Sequence, residues 1–128
     1  MNNTSSINKV FSEIELNRFI ELSEDKASFH INDDIAIKGG FQKKICHGVM
    51  TLMPISKILG MILPGEGYII MELQTKFHSP VYCDETYYYK FKEVYANKDL
   101  GISKICIKIF DQSNKKISIT NATCKKLI

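Results

Sequence analysis

The chain has 128 residues, 45% apolar and 24% charged, with a net charge of +3. That is the size and mix of one globular domain, long enough to bury a core without a disulfide or a metal. The charge is too weak and dispersed for a nucleic-acid binder, which would show a basic stripe, although it mildly favours anionic partners such as a phosphate-bearing cofactor or an acidic carrier protein.

The N-terminal "MNNTSSINKVF" is polar and lacks the apolar run of a signal peptide. The longest apolar stretch, "GVMTLMPISKILGMIL", holds Pro54 and Lys57 and falls short of a membrane span. A cytoplasmic protein with no membrane association is expected. The cysteines Cys46, Cys83, Cys106 and Cys124 form no CxxC pair and no zinc-finger spacing, so they read as reduced, partly buried thiols.

After a short opening strand, "FSEIELNRFIELSED" reads as a helix. Ser12 is its N-cap, and Glu15 completes a capping box. Leu16, Phe19 and Ile20 form its tightest apolar face. Glu21, Glu24 and Asp25 crowd its C-terminal end, where the helix dipole disfavours carboxylates. An arrangement that costs local stability suggests placement for another purpose.

Residues 26–46 carry no sustained periodicity, and "NDD" and "GG" are turn material. Irregular segments of this length are often functional. A helical turn from Asn32 to Ile37, capped by Asn32, is expected within it. "HGVMTLMPISKILGMIL" follows, apolar on nearly every side, and reads as a buried central helix that Pro54 kinks or breaks and "PGEG" stops.

The remainder alternates with period two. "YIIMELQTKF", "TYYYKFKEVY", "ISKICIKIF" and "KISITNATCKKLI" read as four antiparallel strands in a meander. Tyr87, Tyr89, Phe91 and Glu93 share one face of the second. The architecture expected is α+β, one buried helix wrapped by a curved antiparallel sheet.

Several stretches, taken in order, resemble one family. "FSEIEL", "SEDKASFHIND", "KKICHGVM", "ILPGEGYI" and "KFHSPVYCDET" are similar to the successive motifs of the MaoC-like hydratases and dehydratases, the (R)-specific enoyl-CoA hydratases of the hot-dog fold. The resemblance runs from about Val10 to Leu127, and its specificity lies in the order and spacing of the motifs. It implies one hot-dog domain over residues 1–128, a homodimer with an acyl pocket at the subunit interface, and a substrate carried as a coenzyme A or acyl-carrier-protein thioester. No metal or redox cofactor is implied.

The resemblance makes Asp25 and His30 the catalytic pair, holding one water that adds to C3 of an enoyl thioester while a proton goes to C2. Gly48 would offer its backbone N–H to the thioester carbonyl. Ser28, His47 and Met53 are the further candidates for the substrate site. Ser28 offers a hydroxyl where the family has an Asn-Pro loop, and Met53 stands where many hydratases have serine. His47 is expected to set the loop–helix junction and cap backbone groups.

The chemistry fits these residue types. Hydration needs a base for the water proton and an acid for carbon, and histidine beside a carboxylate serves both at neutral pH. An N–H at a helix start, with no side chain in the way, suits a developing enolate oxygen. Taken alone, Asp25 and His30 also read as a helix-end acid and a solvated loop histidine. A hot-dog thioesterase and a non-catalytic acyl-thioester binder or accessory subunit are the alternative functions.

Overall fold

A computed structural model describes residues 4–128. Strand β1 (Ser5–Val10) leads into helix α1 (Glu13–Ser23), which is capped as its sequence requires. The Ser12 hydroxyl accepts the Glu15 N–H at 3.1 Å, and the Glu15 carboxylate accepts the Ser12 N–H at 2.9 Å. Leu16 is buried, and Phe19 and Ile20 pack against the core beside it.

Two short helices follow, α2 (Ser28–Ile31) and α3 (Asp33–Lys38). The second is the expected turn, its Asn32 side chain accepting the Ile35 N–H. The first was not apparent in the sequence. Four residues are too few to show a period, and Ala27 at its N-cap offers no capping side chain.

The central helix is not one regular α-helix. It runs as a 3-10 turn (Val49–Leu52), an α-helical stretch α4 (Met53–Lys57) and a π-helical end (Ile58–Ile62). Pro54 sits in the first turn of α4, where its missing N–H costs little. The proline therefore falls at a change of helical geometry. Burial is also one-sided. Met50, Ile55, Ile58 and Leu59 fill the core, while Val49, Met53, Met61 and Ile62 remain exposed.

Strands β2 (Tyr68–Phe77), β3 (Thr86–Asn97), β4 (Ile102–Phe110) and β5 (Lys116–Lys126) complete an antiparallel sheet in the order β1-β3-β4-β5-β2. The meander expected of all four strands holds only for β3, β4 and β5. Strand β2 lies at the far edge against β5, separated from β3 by two strands. The reason lies in the connection from β2 to β3. It is pinned to the other end of the fold by Cys46 N–H to Val81 O and Asp84 N–H to Phe11 O, both 2.8 Å. Alternation reports which face a residue takes and carries no information on strand order.

The inner face of the sheet closes on the central helix. Tyr87, Tyr89 and Phe91 are buried there with Ile105, Ile107 and Ile109. The Tyr89 hydroxyl donates to the Thr51 carbonyl at 2.8 Å, and the Tyr82 N–H donates to the Tyr87 hydroxyl at 2.9 Å. Both tyrosines therefore pack in the core, Tyr89 tying the central helix to the sheet and Tyr87 the connection between β2 and β3. Glu93 shares their face but lies beyond the core and accepts from Ser103 at 2.5 Å.

Candidate active site

The end of α1 sets up the site. Glu24 takes a left-handed conformation (φ 60°, ψ 14°) and closes the helix through its N–H to Ile20 O. Asp25 then folds a tight turn. Its N–H donates to Ser23 Oγ at 3.2 Å, and its Oδ1 accepts the Ala27 N–H at 3.1 Å. The turn starts α2, whose single turn swings His30 back toward Asp25.

His30 is held from the opposite side. The Ile45 N–H donates to Phe29 O at 2.9 Å, and His30 Nδ1 lies 2.8 Å from Ile45 O. A carbonyl only accepts, so Nδ1 carries the hydrogen and Nε2 is left as the acceptor.

The third group is His47, buried at 2% exposure. Its Nε2–H donates to the Asp25 backbone carbonyl at 3.0 Å and lies 3.9 Å from Asp25 Oδ2. Its ring stacks on that of His30, with centroids 3.7 Å apart and planes 18° from parallel, and Phe19 lies 4.7 Å away. Asp25, His30 and His47 each present a ligand atom, all three within 4.8 Å of one another.

The Asp25 side chain is 50% exposed, so water reaches the carboxylate. Gly48, also exposed, opens the central helix, and its N–H finds no acceptor among the described residues. Its carbonyl accepts the Thr51 N–H at 3.0 Å and the Thr51 hydroxyl at 2.6 Å. A Cβ at Gly48 would sit 3.2 Å from the Phe77 ring, so any other residue would require the ring or the helix start to shift. Beside it lies a cavity of about 290 Å³ walled by Phe41, Ile45, Thr51, Phe77 and Ile117.

The other candidates, Ser28 and Met53, lie apart, and the remaining titratable side chains nearby have other partners or surroundings. Ser28 is the exposed first residue of α2, between Asp25 and His30 in sequence, and its hydroxyl makes no hydrogen bond among the described residues. Met53 is 44% exposed and lines a different cavity, of about 240 Å³, with Ile7, Phe11, Pro54 and Lys57. His78 is exposed at the end of β2 and borders the Gly48 cavity. Lys44 pairs with Glu13 at 2.6 Å, which holds that carboxyl below its ordinary range, and Lys43 reaches Cys83 O at 3.4 Å. Cys46 and Cys83 face each other as free thiols 3.9 Å apart, and burial pushes the Cys46 thiol up to about 11.

Comparison with known proteins identifies the family. The family model described as the MaoC like domain matches residues 3–110. The chain belongs to the MaoC-like domain family. Among MaoC-like relatives, it is similar to the (R)-specific enoyl-CoA hydratase of Rhodospirillum rubrum, 36% identical over 83 residues, which are 65% of this chain and 58% of that protein. It is 27% identical over 121 residues to the (R)-specific enoyl-CoA hydratase of Aeromonas caviae, covering 94% of this chain and 90% of that one. The solved structure titled as the (R)-hydratase of A. caviae involved in PHA biosynthesis superposes with a TM-score of 0.89 at 26% identity, over 98% of this chain and 95% of that chain. The MaoC-like chain thus spans just over half the length of the R. rubrum relative and nearly all of the A. caviae one. Its fold is the hot-dog fold, a five-stranded antiparallel sheet around a helix.

Sequence reasoning paired Asp25 with His30 but left His47 at the helix junction. Nothing in the spacing of residues 25, 30 and 47 signals that the two imidazoles stack. The signal available was the "HG" step itself, a histidine at the start of the central helix next to the proposed carbonyl site.

Proposed function

We propose that this chain catalyses the reversible hydration of trans-2-enoyl thioesters to (R)-3-hydroxyacyl thioesters. The observation that carries this reading is the meeting of a water-accessible carboxylate and two imidazoles, one of them the sequence neighbour of Gly48, whose N–H has no acceptor among the described residues. The names of the R. rubrum and A. caviae relatives support it.

In the forward direction one water is held between Asp25 and His30 Nε2. As its oxygen bonds to C3, these groups take one of its protons, and the carbon–carbon π electrons move toward the thioester. The negative charge gathers on the thioester oxygen, which the Gly48 N–H stabilises. A donor of this kind is worth about 3 kcal/mol of barrier. The captured proton then passes to C2, so the product gains the hydroxyl at C3 and the hydrogen at C2 of a single water. Dehydration follows the same path in reverse. The residues use no redox chemistry and no metal in any step. The acyl group takes the cavity beside Gly48, and the exposed Ser28 hydroxyl is the further candidate for contact; Met53 lines another cavity and the buried His47 makes no contact with substrate.

The thioester is carried by coenzyme A or by an acyl carrier protein. A cytoplasmic homodimer is the state proposed. The edge strand β2 supports it, because Ile69, Met71, Leu73 and Phe77 are all exposed along it.

Crotonyl-CoA mixed with the pure protein tests the reading. Loss of the enoyl absorbance with formation of (R)-3-hydroxybutyryl-CoA supports it. Release of free thiol would mark a thioesterase, and binding without turnover an accessory subunit.

A further inference from the structure

We infer that His47 is the positioning residue of this site, holding the Asp25 turn through its Nε2–H and the His30 ring through its face. The inference rests on the hydration reading above. Residues 24–28 make their other hydrogen bonds within a few residues of themselves. Ser23 Oγ serves Asp25, Asp25 Oδ1 serves Ala27, Glu24 reaches Ile20 and Asn32 reaches Ser28. Among the described residues, the bond from His47 Nε2 to Asp25 O is the one hydrogen bond tying this segment to a distant part of the chain. The carboxylate that must hold the water is half exposed and sits on a loop fastened to the core at that point.

The same ring serves His30. Both Phe19 and His30 pack against it, at 4.7 and 3.7 Å between ring centroids, so it is itself held by packing. His30 is gripped at one edge by Ile45 O and across its face by His47. Removal of His47 leaves the imidazole free to turn about its bond to Ile45. His47 reaches the reaction only through these two neighbours. Its Nδ1 is buried without a partner among the described residues, and its Nε2 is engaged with a carbonyl.

A loss of alignment of about 1 Å lowers turnover roughly a hundredfold. The test compares kcat, KM, the pH profile of kcat and the melting temperature for wild type, His47→Leu and His47→Gln, with crotonyl-CoA as substrate. His47→Leu should lose about a hundredfold in kcat with KM moved less than about threefold. His47→Gln keeps an N–H that reaches Asp25 O and should recover about tenfold of that loss. Both should keep the limbs of the wild-type pH profile, because the proton-carrying groups are Asp25 and His30. If His47→Leu does not fold, His47→Phe takes its place; it keeps the ring against His30 and drops the donor to Asp25, so it should lose only about tenfold in kcat.

Three results would overturn the inference while the hydration reading stands. They are wild-type kcat in His47→Leu (or in His47→Phe where that replaces it), no difference between the Gln and Leu variants, and loss of a limb of the pH profile. That last result would make His47 a proton carrier. Wild-type protein that leaves crotonyl-CoA unhydrated overturns the hydration reading and this inference with it.

Discussion

His30 Nδ1 donates to the Ile45 carbonyl at 2.8 Å, which leaves Nε2 as the ring's basic nitrogen. An asparagine at this position would keep a donor for Ile45 but could not take a proton from water. His30→Asn and His30→Ala should therefore both lose kcat by about 10² to 10⁴. His30→Asn should keep a melting temperature close to wild type. Substantial turnover in His30→Asn would mean that the histidine only holds the loop.

Gly48 meets Phe77 at the distance where a methyl group would touch the ring, 3.2 Å. Gly48→Ala keeps the N–H but forces the ring or the helix start to move. Its kcat/KM should fall about tenfold. Phe77 is 51% exposed, so shortening it costs little core, and Gly48→Ala/Phe77→Leu should recover most of the loss. Unchanged kinetics in Gly48→Ala would place the carbonyl-binding donor elsewhere.

Much of this arrangement is legible in the sequence, for reasons that differ by level. The capping box at Ser12 and Glu15, the Asn32 cap and the four C-terminal strands follow from local rules, because a cap or an alternation acts within a few residues. The position of β2 is not local. It depends on Val81 and Asp84 being pinned across the fold, which no pattern within β2 encodes. The Asp25–His30 pair was legible because both lie on one short loop, and the resemblance gave that loop a meaning. The His47 stack was not, because residues 30 and 47 meet only once Ile45 has bonded to Phe29 and His30. The central helix was legible as apolar, but its exposed side was not. Hydrophobicity alone does not separate a buried face from an exposed one.

The Glu15 carboxyl is held below its ordinary value of 4.5 by Lys9 first and the Ser12 N–H second. A carboxylate with a lowered folded-state value adds stability above the unfolded-state value and loses it as pH falls through the folded one. Urea midpoints of wild type and Glu15→Gln should thus differ most at neutral pH and draw together below about pH 4. Ser12→Ala, which removes the other half of the box, should cost about 1 kcal/mol with little change in kcat. A gap between wild type and Glu15→Gln that persists undiminished at pH 3 would refute the assignment of this pair to helix capping.

Asp25→Asn tests the central claim most directly, because it removes the charge and keeps the shape of the group that holds the water. The measurement is the rate of enoyl absorbance loss on mixing with crotonyl-CoA, followed together with free thiol. Wild type should consume the enoyl band without releasing thiol, and folded Asp25→Asn should be slower by about 10² or more. Equal rates for the two proteins, or thiol appearing as the band disappears, would contradict a carboxylate–imidazole hydratase.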